Sequence, residues 1–302
     1  MTKLNLDIIG GLLLVVAGLA LPFAGADYLM GIAFNLAMWI ALTQSWSILS
    51  AMTGYVSLGH VVFCGIGSYV FILTNGTLPM PAALACAGLA AGVMALVIGL
   101  PVLRVRGPYF VILTFGLAEL AKNVIVQIET SLGQFSRLIF DAPALDTLYF
   151  IMFGLAVAST AAAVLVRHSK LGRGLVAIRE NEEAAEAIGV PVTRLKLIAF
   201  VAAAIIPGIV GGVLLLRTSY FEAAQAFDPV ISFSIVTMAI VGGMGTVRGP
   251  ILGSVAFVLL SELLWARFPQ LYMIILGALL ILFILFMPRG LSGLFERREA
   301  RR

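Results

Sequence analysis

The chain has 302 residues, of which 61% are hydrophobic and 11% charged, with a net charge of +4. That is far more apolar surface than one soluble core can bury, so lipid must cover the remainder and a soluble globular class is excluded. The pI of about 9.3 does not point to nucleic acid, because the excess positive charge gathers in short loops and the C-terminal tail, where it sets topology.

A bilayer core about 30 Å thick needs about 20 mostly apolar residues per helix, and fewer where a helix is broken and buried in protein. Ten segments meet that requirement: residues 8–25, 29–50, 55–74, 81–102, 108–128, 147–166, 197–216, 229–245, 249–266 and 271–287. The first, ending in Ala24-Gly25-Ala26 after Lys3, has the outline of a signal peptide. A single Lys offset by Asp7, and a second apolar segment directly behind it, make it a retained first span. The loops between segments are too short to fold by themselves, so residues 1–302 form one membrane domain. The expected fold is an all-α polytopic membrane protein of about ten transmembrane helices.

Lys and Arg resist translocation, whereas Asp and Glu weigh little in the choice of topology. With the N-terminus inside, ten crossings return the C-terminus to the cytoplasm. Lys3, Arg104, Arg106, Arg167, Lys170, Arg173, Arg179, Arg194, Lys196, Arg248, Arg289, Arg297, Arg298, Arg301 and Arg302 then all lie inside, 15 of the 19 basic residues. Arg137, Arg217 and Arg267 fall in outer loops, and Lys122 snorkels from the outer end of the fifth span. Five spans precede the outer loop at 129–146 and five follow it, so two halves of opposite topology can be related by an axis in the membrane plane. The trace of such a repeat is faint, a shared spacing between residues 57–67 and 232–242.

Cys64 and Cys86 lie inside apolar runs without CxxC or His spacing, so they read as packing residues and no metal site is expected. Glycines at four-residue spacing, Gly88 with Gly92, Gly208 with Gly212, and Gly245 with Gly249 and Gly253, let helix backbones approach closely in lipid. His60 is weighed as a proton relay, which needs acidic partners absent nearby in sequence, against a hydrogen-bonded structural or interfacial histidine, the preferred reading. Glu119 and Lys122, three apart on one helical face, neutralise one another, and Glu262 and Arg267 read as interfacial. No Ser/His/Asp set or zinc cluster is present, so no catalytic residue is expected.

The one sizeable polar stretch is residues 167–196, RHSKLGRGLVAIRENEEAAEAIGVPVTRLK. Residues 177–188 hold good helix formers and an acidic cluster of Glu180, Glu182, Glu183 and Glu186, with a stop at Gly189 before Val190-Pro191. Leu175, Ile178, Ala185 and Ile188 share a helical face. A short helix across the inner membrane surface is the expected result, suited to docking a soluble partner or serving as a solvated connector.

The run Glu183-Ala184-Ala185-x-x-x-Gly189 resembles the start of the EAA motif, the loop by which permeases of bacterial ABC importers dock onto their ATPases. The fuller string LGRGLVAIRENEEAAEAIGV is similar to permeases for branched-chain amino acids of the LivM and LivH type. So are Gly54-Tyr55-Val56-Ser57-Leu58-Gly59-His60 with Phe63 and Gly67, Arg106-Gly107-Pro108-Tyr109-Phe110 with Leu113-Thr114-Phe115, and Val241-Gly242-Gly243-Met244-Gly245-Thr246 with Gly249-Pro250 and Gly253. Together they cover about residues 54–256. The general EAA pattern continues into Ile-x-Leu-Pro; here Ala199 stands at the Ile position and no Leu-Pro follows, which argues against the maltose-type subclass.

The resemblance implies a permease subunit in the bacterial inner (plasma) membrane, assembled with a homologous permease as a heterodimer, two cytoplasmic ATPases and a periplasmic amino-acid-binding protein. It implies ATPase coupling through Arg179, Glu180, Asn181, Glu182, Glu183, Ala184, Ala185 and Gly189. No GxxxxGK[ST] loop is present to cradle ATP, so no cofactor is bound directly and ATP is hydrolysed by the partner subunits. The pathway candidates are the Gly-rich stretches with Gly54, Tyr55, Ser57, Gly59 and His60, and with Gly242, Gly243, Gly245, Thr246 and Gly249, where broken helices expose backbone to a cavity; helix packing fits these glycines equally. Urea or short amides as cargo, and an ion-coupled secondary carrier, are the alternatives.

Overall fold

The computed structural model describes residues 27–133, 136–140 and 142–268, together with 18, 19, 22, 271, 274, 275, 277, 278, 281 and 290–293. The helices in this part are α1 Asp27–Thr53, α2 His60–Thr74, α3 Met80–Val102, α4 Pro108–Ser131, α5 Leu145–His168, α6 Lys170–Glu180, α7 Glu182–Ala187, α8 Val192–Thr218, α9 Ala223–Ala226, α10 Pro229–Gly242 and α11 Arg248–Arg267. Two-residue strands β1 Arg137–Leu138 and β2 Tyr220–Phe221 pair antiparallel between distant loops. Among the described residues, seven helical stretches are long and apolar enough to cross a membrane: α1, α3, α4, α5, α8, α11 and residues 223–242, which join α9 to α10. Most of the expected first and tenth spans lies outside the described residues.

Two expected spans are shorter than their apolar runs. The third begins at His60 instead of residue 55, and the eighth ends at Gly242 instead of 245. In both places glycine takes a backbone angle closed to other residues, Gly54 at φ +77° and Gly243 at φ +104°, so the helix stops where the sequence remains apolar. The two short helices lie antiparallel at their starts. Val61 N donates to Ser232 Oγ at 3.0 Å, and a Cβ on Gly65 would sit 2.5 Å from the Phe227 ring.

The centre of the bundle is α1 and α8, 27 residues each and the most buried of the membrane-length helices. In lipid, helices associate through close packing and hydrogen bonds, and both are visible here. A Cβ on Gly67 would lie 2.0 Å from the Gly208 carbonyl oxygen, and one on Gly208 would lie 2.5 Å from Ala91 Cβ. Helices α2, α3 and α8 therefore meet backbone to backbone, as the glycine spacing predicts. The polar groups that α1 buries have partners: Gln44 Nε2 donates to Val247 O at 2.7 Å and Trp46 Nε1 to Ser57 O at 2.8 Å.

The alternating helices collect their loops at two ends. At one, residues 54–59, 103–107, 169–191 and 243–247 come together, tied by Arg106 to Glu182 and by Arg179 to Ala51 O. Arg104, Arg106, Arg167, Lys170, Arg173, Arg179, Arg194, Lys196 and Arg248 all belong to this end. At the other, Arg137 grips Glu129 through two bonds of 3.0 and 2.8 Å, Tyr69 donates to the same carboxylate at 3.0 Å, and Tyr28 donates to Glu262 at 2.5 Å.

The packing makes a direct prediction. Gly67→Val forces a side chain onto backbone and should cost ~3 kcal/mol or more, read as loss of the folded species in size exclusion from mild detergent. Gly154→Val on the exposed face of α5, where a Cβ meets nothing within 4 Å, should leave the profile unchanged.

Candidate functional site

The polar loop folds as two helices where the sequence predicts one. Helix α6 starts at Ser169, whose hydroxyl accepts from Gly172 N, and ends at Asn181, which is extended at φ −160° and ψ 112°. The Asn181 side chain accepts from Ala184 N at 3.0 Å and opens α7. A short polar side chain that competes for backbone N–H groups favours such caps over helix interiors, and this breaks the expected helix over 177–188. Its far end is as predicted. Gly189, at φ +87°, donates to Glu186 O while Val190 N donates to Ala185 O, both at 3.0 Å, a Schellman stop that needs a residue without a Cβ at this angle.

The break turns Glu182 inward and leaves Glu183 outward, with 13% and 85% of their side chains exposed. Glu182 is the hub of the end where the loops gather. It accepts from the Tyr55 hydroxyl, from Lys196 Nζ at 2.9 Å, and faces Arg106 Nε at 3.3 Å. Arg106 extends the network to Glu183 at 3.6 Å and Glu186 at 3.7 Å. Lys196 is 2% exposed, lies 4.4 Å above the Tyr55 ring, and has its charge met by Glu182. Burial alone would raise the Glu182 pKa; the Tyr55 hydroxyl, Lys196 and Arg106 outweigh it and hold the carboxyl below its ordinary value. Arg179 reaches away from this hub to Ala51 O at 3.0 Å, and a Cβ on Gly54 would lie 3.4 Å from its side chain. Of the coupling candidates, Glu180, Asn181, Glu183, Ala184 and Gly189 are exposed, whereas Ala185 is buried.

Tyr55, a pathway candidate, thus bonds to Glu182 of the polar loop. No local spacing links Arg106, which opens a family-like motif, or Lys196, a topological charge, to Glu182. Of the other pathway candidates of the first stretch, Gly54 is exposed, whereas Ser57, Gly59 and His60 are held in protein. Ser57 and His60 are fully buried; Ser50 Oγ accepts from Ser57 N at 3.4 Å, Ser57 Oγ from Gly59 N at 3.3 Å, and Thr114 Oγ1 from Leu58 N at 3.2 Å. Irregular backbone at membrane depth persists only with such partners. In the second stretch, Gly242 and Gly249 pack backbone against backbone, their Cβ positions 1.8 and 1.9 Å from carbonyl oxygens of Gly249 and Gly243. Thr246 Oγ1 accepts from Gly249 N at 3.0 Å, and Gly245 is open. The His60 ring faces the Ala203 backbone and packs edge-on to Phe63, with no hydrogen bond of strict geometry to either ring nitrogen among the described residues.

Two cavities bracket the chain. A groove of about 620 Å³ beside α6 and α7 is lined by Leu171, Gly174, Ile188, Pro191 and Ile198, together with Lys170 and Arg173. A smaller cavity of about 200 Å³ near the opposite end is lined by Ser68, Leu215, Phe221, Glu222, Gln225 and Ile231.

The family model described as branched-chain amino acid transport system / permease component matches residues 28–284. The chain belongs to that family. It is 30% identical to the high-affinity branched-chain amino acid transport system permease protein LivM of Salmonella typhimurium, over 92% of this chain and 73% of that one, and 30% identical over the same shares to LivM of Escherichia coli. The corresponding LivH of Escherichia coli is 29% identical over 45% of this chain and 44% of its own. No solved structure matches significantly. This member of the permease family is a multi-pass protein of the inner membrane.

Removing one partner of a buried ion pair leaves the other uncompensated, so Lys196→Met should cost ~3–5 kcal/mol, and adding Glu182→Gln should recover part of it. Thermal unfolding of the detergent-purified single and double variants measures this. Because the Glu182 pKa is lowered on folding, the stabilisation is fully present above the ordinary carboxyl value of 4.5 and is lost as pH falls through the folded value. The contribution of this pair should therefore be flat from about pH 6 to about pH 8 and disappear only in acid.

Proposed function

We propose that this chain is the transmembrane permease subunit of an ATP-binding-cassette importer for branched-chain, hydrophobic amino acids. It pairs with a homologous permease as a heterodimer, is driven by two separate cytoplasmic ATPases, and receives solute from a periplasmic binding protein. The observation that carries this reading is the hub at Glu182, where the short helices of the EAA-like loop are tied to three other parts of the membrane domain. Membership of the permease family, and likeness to both LivM and LivH, support the substrate class and the paired permease. The end carrying the hub is cytoplasmic, since it collects the basic residues.

The full chain forms about ten spans with both termini inside, in two inverted five-helix halves. The matching lengths of α1 and α8, 27 residues each, and of α2 and α10, 15 and 14 residues, support the repeat. Energy enters from the partners. Closure of the ATPases moves α6 and α7; Arg106, Tyr55 and Lys196 pass the shift to the loop before α4, the stretch before α2, and the start of α8. The chain itself hydrolyses nothing.

Glu183, exposed beside Arg106, and Gly189, with its positive φ, are the positions at which docking separates from folding of the hub. In the assembled importer, Glu183→Ala and Gly189→Val should let ATP hydrolysis continue while uptake falls by about tenfold or more, with solute capture by the binding protein intact. Normal coupled uptake in both variants would remove the loop from the mechanism. Competition of labelled leucine with unlabelled isoleucine and with urea in reconstituted vesicles tests the cargo; displacement by urea alone would overturn the amino-acid reading.

A further inference from the structure

Helix α4 is the least buried of the membrane-length helices, with 22% of its apolar stretch buried against 67% in α1. The side it turns to its neighbours carries Phe110, Thr114, Ala118 and Glu129. The opposite side carries Gly116, Glu119, Asn123, Gln127 and Thr130, which at roughly 100° per residue fall within an arc of about 80°. Gly116, Asn123, Gln127 and Thr130 are exposed, and Glu119 keeps 34% of its side chain exposed. Glu119 stands at the midpoint of the helix, so the stripe runs from mid-membrane toward the end opposite the coupling helices.

The outward faces of α3 and α5 differ in kind. Helix α3 exposes Leu89, Val93, Leu96, Val97 and Leu100, and α5 exposes Phe150, Val157, Val164 and Leu165. Those surfaces suit hydrocarbon. A carboxylate and two carboxamides at the same depth do not, because lipid offers them no hydrogen-bond partner, and such groups face the bundle interior or water. Internal pairing does not remove the difficulty. Glu119 meets Lys122 at 3.5 Å, Asn123 Nδ2 donates to Glu119 O at 2.7 Å, and Thr130 Oγ1 donates to Val126 O at 2.7 Å. The Asn123 carbonyl oxygen and the whole Gln127 amide remain without a partner among the described residues.

We propose that this face of α4 is a wall of the water-filled solute passage, closed on its far side by the second permease. The proposal rests on the importer reading above and adds to it the surface along which solute moves. The wall suits a zwitterion with an apolar side chain. Its one ion pair is neutral in sum, its amides both donate and accept, and Ile112 and Leu120 beside the stripe are 67% and 60% exposed.

Cysteine reactivity in the assembled importer, held in right-side-out vesicles, tests it. In a background carrying Cys64→Ala and Cys86→Ala that retains uptake, single variants Asn123→Cys and Gln127→Cys are compared with Leu89→Cys and Ala85→Cys, exposed positions on α3 at about the same distances from the same end of the bundle. A charged, membrane-impermeant thiosulfonate should modify the α4 thiols about tenfold or more faster than the α3 thiols, and that modification should slow leucine uptake. Total thiol after denaturation identifies a variant that has not folded, and the two α4 positions are read separately. Equal, slow reaction at all four positions would overturn the proposal. So would α4 thiols inert to the reagent but joined to the partner permease on oxidation, the signature of a dry seam. Should the vesicles show no ATP-dependent uptake, the importer reading fails, while the contrast in labelling still decides whether α4 faces water.

Discussion

One carboxylate ties together the end of the molecule where residues 54–59, 103–107 and 169–191 meet. Glu182 sits at the first turn of a six-residue helix too short to hold its own position, and it is fixed by Tyr55, Lys196 and Arg106, which come from three other segments. A buried lysine demands such a partner, since leaving it unpaired costs several kcal/mol. The two short helices therefore move with the starts of α4 and α8 and with the stretch before α2, or lose the pair.

That constraint gives meaning to the irregular backbone beside it. The stretch at 54–59 lies between Tyr55, bound into the hub, and α2, which starts at His60 and runs antiparallel to α10. Its backbone groups are met by hydroxyls of Ser50, Ser57 and Thr114, bonds that can be exchanged more readily than a helical ladder. Tyr55 is thereby linked to α2 and, through Val61 and Ser232, to α10. The backbone contacts of Gly67 with Gly208, and of Gly242 with Gly249, have no slack, so these pairs shift as units.

Much of this was legible in the residues. Apolar runs located the long helices to within a few residues, because lipid leaves a chain few options. The distribution of Lys and Arg anticipated which loops share an end, and the Gly189 stop followed from helix-capping chemistry. What escaped was non-local. Hydropathy cannot see that residues 54–59 leave the helix, since they are as apolar as the helix that follows. The Asn181 cap was hidden inside a run of good helix formers. No local spacing ties Lys196 or Arg106 to Glu182 until folding brings them together.

The central claim is that force from a separate ATPase enters through the Glu182 end and reshapes a passage in lipid. Leucine accumulation by vesicles holding the purified chain and its partner permease, with and without the nucleotidase subunits, tests this most directly. The account predicts accumulation against a gradient only when the nucleotidases and ATP are both inside with them and the binding protein is supplied outside. Accumulation by the permease alone, driven by an ion gradient, would contradict it.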